Sequence, residues 1–224
     1  EGRATAAAWP VPIGAPSRAW PGYLDLGGEA LFFTTDVSAG SGHLVKIFIG
    51  TGGIDGDYTA SANHIRGGIG QTATDVFVAS FEDGGDGDSV YCLDASVSPP
   101  TERWKAPAGT ADFDVVPYID SGFVFVGDFG GAMRCLNAGT GAVVWTTPLE
   151  AVPIRSSVLS LPGSIFFGND NGKFYRLNGG SGAIQSTLNL GTGRRIRSVS
   201  YADVGAETLF MVGTDDGDVF LVRP

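Results

Sequence analysis

An apolar run with an aromatic at its centre returns five times along this chain, as Leu31-Phe32-Phe33, Val76-Phe77-Val78, Val124-Phe125-Val126, Ile165-Phe166-Phe167 and Leu209-Phe210-Met211. The starts are 45, 48, 41 and 44 residues apart. A period of this length built from short strands belongs to a β-propeller, in which each repeat is one four-stranded blade. Five such units take up nearly all of the 224 residues. The expected fold class is therefore all-β: a β-propeller of about five four-stranded blades.

Within each repeat the central run is strand B, preceded by an extended inner strand A and followed by a Gly/Asp turn and an alternating strand C. An outer strand D follows, ending near Trp in two of the repeats. Period-2 alternation between turn clusters is the strand signal. The third repeat reads as Phe123 to Val126, a turn at Asp128 to Gly131, Ala132 to Asn137, a turn at Gly139 to Gly141, then Ala142 to Thr146. The blades are placed at about 17–62, 63–109, 110–150, 151–191 and 192–224, as one domain spanning 1–224. The last repeat supplies A, B and C but no D, which leaves an edge that needs a partner. Ala6-Ala7-Ala8-Trp9-Pro10 resembles the D strand Ala142-Val143-Val144-Trp145. The expectation is that residues 1–16 form a closing strand and crossover, and that the N-terminal strand completes the last blade.

Charged residues make up only 17%, aromatics 11%, and there are 35 glycines, a composition suited to many short strands and tight turns. The net charge of −10 repels nucleic acid and anionic membrane, so neither partner is expected. No apolar segment approaches the roughly 20 residues of a membrane helix. The chain begins at Glu1 rather than Met, which points to removal of an upstream segment and to an extracytoplasmic location: periplasmic, cell-surface or secreted. Cys92 and Cys135 occupy matching places in successive repeats, where Cα atoms are usually too far apart for a bridge, and they read as buried thiols.

The run Val124-Phe125-Val126-Gly127-Asp128-Phe129-Gly130-Gly131, continued by Cys135-Leu136-Asn137-Ala138-Gly139-Thr140-Gly141 and Val144-Trp145, resembles the PQQ-like repeat of quinoprotein dehydrogenase-type propellers. Phe167-Gly168-Asn169-Asp170-Asn171-Gly172 through Asn178 follows the same plan. The resemblance is strong over residues 65–224 and loose over 17–60. It implies the fold more than the activity. The quinone-dependent alcohol dehydrogenases use eight blades, adjacent cysteines and a calcium beside the cofactor. This chain has about five blades and no adjacent cysteines, so PQQ is not an expected cofactor. The non-catalytic members, outer-membrane assembly scaffolds and pilus-tip adhesin propellers, are the closer analogy.

Aligned on their B strands, the repeats put Arg66, Asp114 and Arg155 at one position, ten residues before the B strand, with Arg197 there after an insertion. At the start of the innermost strand these side chains belong to one mouth of a central channel. Arginines converging there suit bidentate capture of a carboxylate or phosphate; alternatively they pair with Asp114 and the aspartates of nearby B–C turns. Trp20, in a Pro-rich loop on the same face, is either a stacking platform for a partner or sugar, or a plug on the crossover. Asp83, Asp86 and Asp88 bring hard oxygen donors into one Gly-rich loop, a candidate calcium site, though Asp and Gly also make ordinary turns. His43 and His64 lack metal spacing and read as surface or edge residues. No strained nucleophile turn marks a hydrolase.

The expected function is a non-catalytic extracytoplasmic module for protein interaction or assembly, with a protein partner and no required cofactor. The alternative is a carbohydrate-binding or glycoside-cleaving five-bladed propeller, for which Asp114 is the one acid placed at the channel mouth.

Overall fold

The computed structural model describes residues 12–13, 16–17, 19–35, 42–59, 64–81, 89–107, 112–205 and 207–223. Among the described residues all the regular elements are strands. They fall into two compact units, 1–119 and 120–224.

In the first unit, β1 (Gly22–Asp25), β2 (Glu29–Thr34), β3 (His43–Phe48) and β4 (Ile54–Thr59) form one antiparallel sheet in chain order. The second sheet is β5 (Gly70–Gln71), β6 (Asp75–Ala79), β7 (Ser89–Asp94) and β8 (Thr101–Pro107). Leu24, Ala30, Phe32 and Leu44 of the first sheet pack on Val76, Val78, Tyr91 and Leu93 of the second, with Ile65 between. Strand β9 (Tyr118–Asp120) spans the division and heads a third sheet with β10 (Phe123–Gly127), β11 (Ala132–Asn137) and β12 (Val143–Pro148). The second unit continues with β13 (Leu159–Leu161), β14 (Ser164–Gly168), β15 (Lys173–Asn178) and β16 (Ile184–Asn189), and then a three-stranded sheet of β17 (Ile196–Val204), β18 (Glu207–Thr214) and β19 (Val219–Val222).

The repeat recurs in detail. Each aromatic-centred run is the second strand of its sheet, and its neighbour across the turn is the third. The pairing of third with fourth strand slips at an equivalent place in all four complete sheets, at Lys46/Ile47, Cys92/Leu93, Cys135/Leu136 and Arg176/Leu177. A bulge there increases the local twist of the outer strand. The turns after β11 and β15 are closed by asparagine: Asn137 Oδ1 accepts from the N–H groups of Gly139 and Thr140, and Asn178 Oδ1 from those of Gly180 and Ser181. This is the turn chemistry that favours Asn and Gly.

Trp104 and Trp145 lie on the outer strands β8 and β12, over Phe77 and Phe125 with ring centroids 5.9 and 6.0 Å apart. Both cysteines are free and buried, in β7 and β11. Burial pushes both thiols up to about 12. Roughly a thousandfold less thiolate at neutral pH follows from a three-unit rise, so a thiol reagent should modify the native protein far more slowly than the unfolded chain. Rapid labelling of both cysteines in the native state would contradict this burial. The alternation in the last repeat predicts strands at about 196–201, 208–212 and 219–222, and the structure has them there, with β17 running three residues further, to Val204. The segment 5–10 expected to complete this sheet lies outside the described residues.

Candidate functional site

The second to fifth repeats enter their sheets through a buried apolar residue, Ile65, Phe113, Ile154 or Ile196, followed by Arg66, Asp114, Arg155 or Arg197. Ile154 and Ile196 are 1% and 0% exposed, which anchors Arg155 and Arg197 beside them. Ser156 Oγ both donates to Gly168 O at 3.1 Å and accepts from Gly168 N at 2.7 Å, pinning the segment that carries Arg155. Ser157 N donates to Arg197 O, and Val199 N to Ser157 Oγ, so the two arginine-bearing segments run side by side.

Between them stands Asp170, on the turn joining β14 to β15. Its backbone N–H is held by Pro153 O at 2.9 Å. Arg155 Nη1 lies 3.4 Å from one carboxylate oxygen and Arg197 Nη1 3.1 Å from the other. Burial pushes the Asp170 carboxyl above its ordinary range, against the opposing pull of Arg197 and Arg155. The anchor is thus a carboxylate whose desolvation the two cations counter only in part. Arg197 also reaches Asp215 at 3.2 Å, where Arg195 stands 3.7 Å away. Arg155 lies over the Phe129 ring at 4.2 Å, a cation–π distance. Its buried Nε has no hydrogen-bond partner among the described residues. The two guanidinium side chains remain 27% and 32% exposed. They form an oriented cationic pair with donors left to offer.

Next to this pair, Arg194 binds Asp216 and Asp218, and Glu150 joins the third sheet to the fourth. Glu150 accepts from Asn169 Nδ2 and Asn171 Nδ2 and pairs with Lys173. These contacts, Asn169 first, hold its carboxyl below the usual range.

The other expected site residues belong to the first unit. Arg66 lies over the Phe81 ring at 4.2 Å. Asp114 is half-buried beside the fully buried Phe113, and Trp20 is 84% exposed. His43 Nδ1 is 2.9 Å from Asp57, a surface pairing on the outer strands. Asp83, Asp86 and Asp88 lie outside the described residues. Phe81 and Phe129, which carry the arginines, were not singled out by the sequence reading. Each follows its B strand by two residues, an offset that marks a recurring position but not the arginine it meets, since Phe81 shares a repeat with Arg66 and Phe129 stands one repeat before Arg155.

Residues 34–224 match the family described as outer membrane protein assembly factor BamB. The chain belongs to that PQQ-like repeat family. No curated protein sequence matches it. Among solved structures, BamB from Moraxella catarrhalis is 18% identical with a TM-score of 0.62, over 92% of this chain and 64% of that one. A quinohemoprotein alcohol dehydrogenase from Comamonas testosteroni is 14% identical with a TM-score of 0.71, over 93% and 41%. Sqt1 from Saccharomyces cerevisiae is 12% identical with a TM-score of 0.74, over 92% and 59%. At these identities the likeness is one of fold. The chain spans less than two-thirds of the length of each of the three.

Proposed function

We propose that this protein is a non-catalytic interaction module of an extracytoplasmic assembly, and that it presents the Arg155/Arg197 pair to an acidic segment of a protein partner. The observation that carries the reading is the geometry at Asp170: two guanidinium groups are oriented in advance, about one-third exposed, on a frame of short turns. Recognition by such a frame costs little ordering entropy. Membership of a family described by an assembly factor supports the same direction. Arg66, Asp114 and Trp20 are proposed as partner-binding residues of the first unit.

Crosslinking and mass spectrometry on the protein purified with its native neighbours tests the reading. One partner should crosslink around residues 155–197, and the double variant Arg155→Gln/Arg197→Gln should capture it at least tenfold less well. That variant leaves the buried Asp170 carboxylate without its cations, so its melting temperature should fall, and capture is compared at a temperature where circular dichroism shows both proteins folded. Undiminished capture would sink the proposal.

The carbohydrate alternative has one observation in its favour. A cleft of about 160 Å³ is lined by Phe123 and Phe125 with Asp120, Ser160 and Gly179, and Asp120 accepts from Ser160 Oγ at 2.8 Å. Aromatic faces beside a carboxylate and hydroxyls suit a sugar ring. Titration with monosaccharides, followed through Trp145 fluorescence, separates the two readings.

A further inference from the structure

The turn between β9 and β10 carries a combination that the other repeats lack. Counted back from the central aromatic of each run, the fifth residue is Gly27, Thr72, Asp120, Leu161 or Gly205. The second is Ala30, Asp75, Phe123, Ser164 or Thr208. Only the third repeat has a carboxylate at the first of these places and an aromatic at the second. Both line the cleft of about 160 Å³ between the third and fourth sheets, whose lining residues all belong to the second unit.

Asp120 is held there from two sides. Ser160 Oγ donates to its Oδ2 at 2.8 Å, and Ser121 Oγ to its Oδ1 at 3.1 Å. Ser160 comes from β13, so the carboxylate is fixed across the junction between two sheets as well as within its own turn. Ser121 contributes from a left-handed backbone, with φ +51°, the one non-glycine residue of positive φ among the described residues. That conformation is unfavourable for a residue with a side chain, and strain of this kind collects where ligands are gripped. A glycine would adopt it freely but would bring no hydroxyl to Asp120.

Both partners of the carboxylate are neutral. Among the described residues no cation pairs with Asp120, whereas Asp128 and Asp170 each meet an arginine. Each of its oxygens keeps a lone pair to offer. Beside it, Phe123 and Phe125 have ring centroids 6.5 Å apart, and Trp145 continues the row 6.0 Å from Phe125. The faces of such rings attract positive charge. Across the cleft stand Gly163, Gly179 and Gly180, which put no side chain into the space. That wall is fixed by its backbone: Gly179 N donates to Gly163 O at 3.1 Å, and Trp145 Nε1 to Gly179 O at 3.0 Å. The volume suits one six-membered ring, since a cavity of about 150 Å³ takes up benzene.

We propose that this cleft binds a small organic cation, a protonated primary amine on a ring-sized body, with the ammonium on Asp120 and the body against Phe123. An amino sugar has this form. The site does not depend on the Arg155/Arg197 pair, whose charge selects the opposite kind of ligand. It narrows the carbohydrate alternative, on which it rests where the ligand is a sugar, to amino sugars.

Calorimetric titration of the full chain at about pH 6, where the amines are protonated, tests this with two matched pairs of probes. Glucosamine should bind at least tenfold more tightly than glucose, and cyclohexylamine at least tenfold more tightly than cyclohexanol. Asp120→Asn, which keeps the size of the side chain and an acceptor for Ser160, should abolish both preferences. Ser121→Gly should weaken amine binding several-fold while its melting temperature stays at or above that of wild type, which separates loss of the site from loss of the fold. Glucose and glucosamine binding alike would overturn the proposal and leave the carbohydrate reading standing. No binding by any of the four probes would overturn it outright, and so would a preference for amines that survives in Asp120→Asn.

Discussion

Phe210→Ala is expected to lower stability by about 4 kcal/mol, in the range for an aromatic removed from a packed core. Phe210 is fully buried, with its ring centroid 4.4 Å from that of Phe166 and 5.8 Å from that of Phe174. Together with Val199, Val212 and Val222 these rings are what hold the last sheet on the fourth. The melting temperature should fall by roughly 10 °C for a chain of this size. Hydrogen exchange localises the effect: in the variant, amides of 196–222 should lose protection while those of 123–137 keep it. Unchanged protection in β17–β19 would mean that something other than this aromatic cluster holds the sheet.

A second large effect is expected at Gly131. Its φ is +83°, and a Cβ there would lie 1.9 Å from the carbonyl oxygen of Glu150, a backbone atom with no side chain to yield. Leu149 N donates to Gly131 O at 2.9 Å, so the two segments are tied where the clash would fall. Gly131→Ala should therefore add a steric displacement to the left-handed cost, about 3–5 kcal/mol together. Gly163 supplies the control. Its φ is +75° with nothing within 4 Å of a built Cβ, so Gly163→Ala should cost only about 1–2 kcal/mol. Equal denaturation midpoints for the two variants would show that close approach is not what selects glycine at 131.

Strand placement was legible in the sequence because burial on both faces and tight turns leave strong local marks. Val124-Phe125-Val126 and Ile165-Phe166-Phe167 read as central strands of their sheets, and Asn137 and Asn178 announce the turns that follow. The end of β17 was not legible, because Asp203 and Gly205 look like a turn arriving early. In the structure the hairpin turns only between Val204 and Glu207, which are paired in register. The arginine position was legible as a recurring one, and pairing with turn aspartates was one of its two stated readings. Which aspartate each arginine takes was not, since Asp170 meets Arg155 of its own repeat and Arg197 of the next at once. Nor does spacing reveal that Phe129 lies beneath Arg155, because that contact joins two repeats rather than residues within one.

The way one repeat joins the next also bears on how such chains change size. The fourth and fifth sheets meet through neighbour contacts, with Ile196 N donating to Asn169 O beside the Phe166, Phe174 and Phe210 rings. Stability in such an array is close to a sum over neighbours. A gene segment encoding one repeat can be copied or dropped, and the join it leaves is the same join as before. The number of repeats then becomes a matter of counting rather than of redesign.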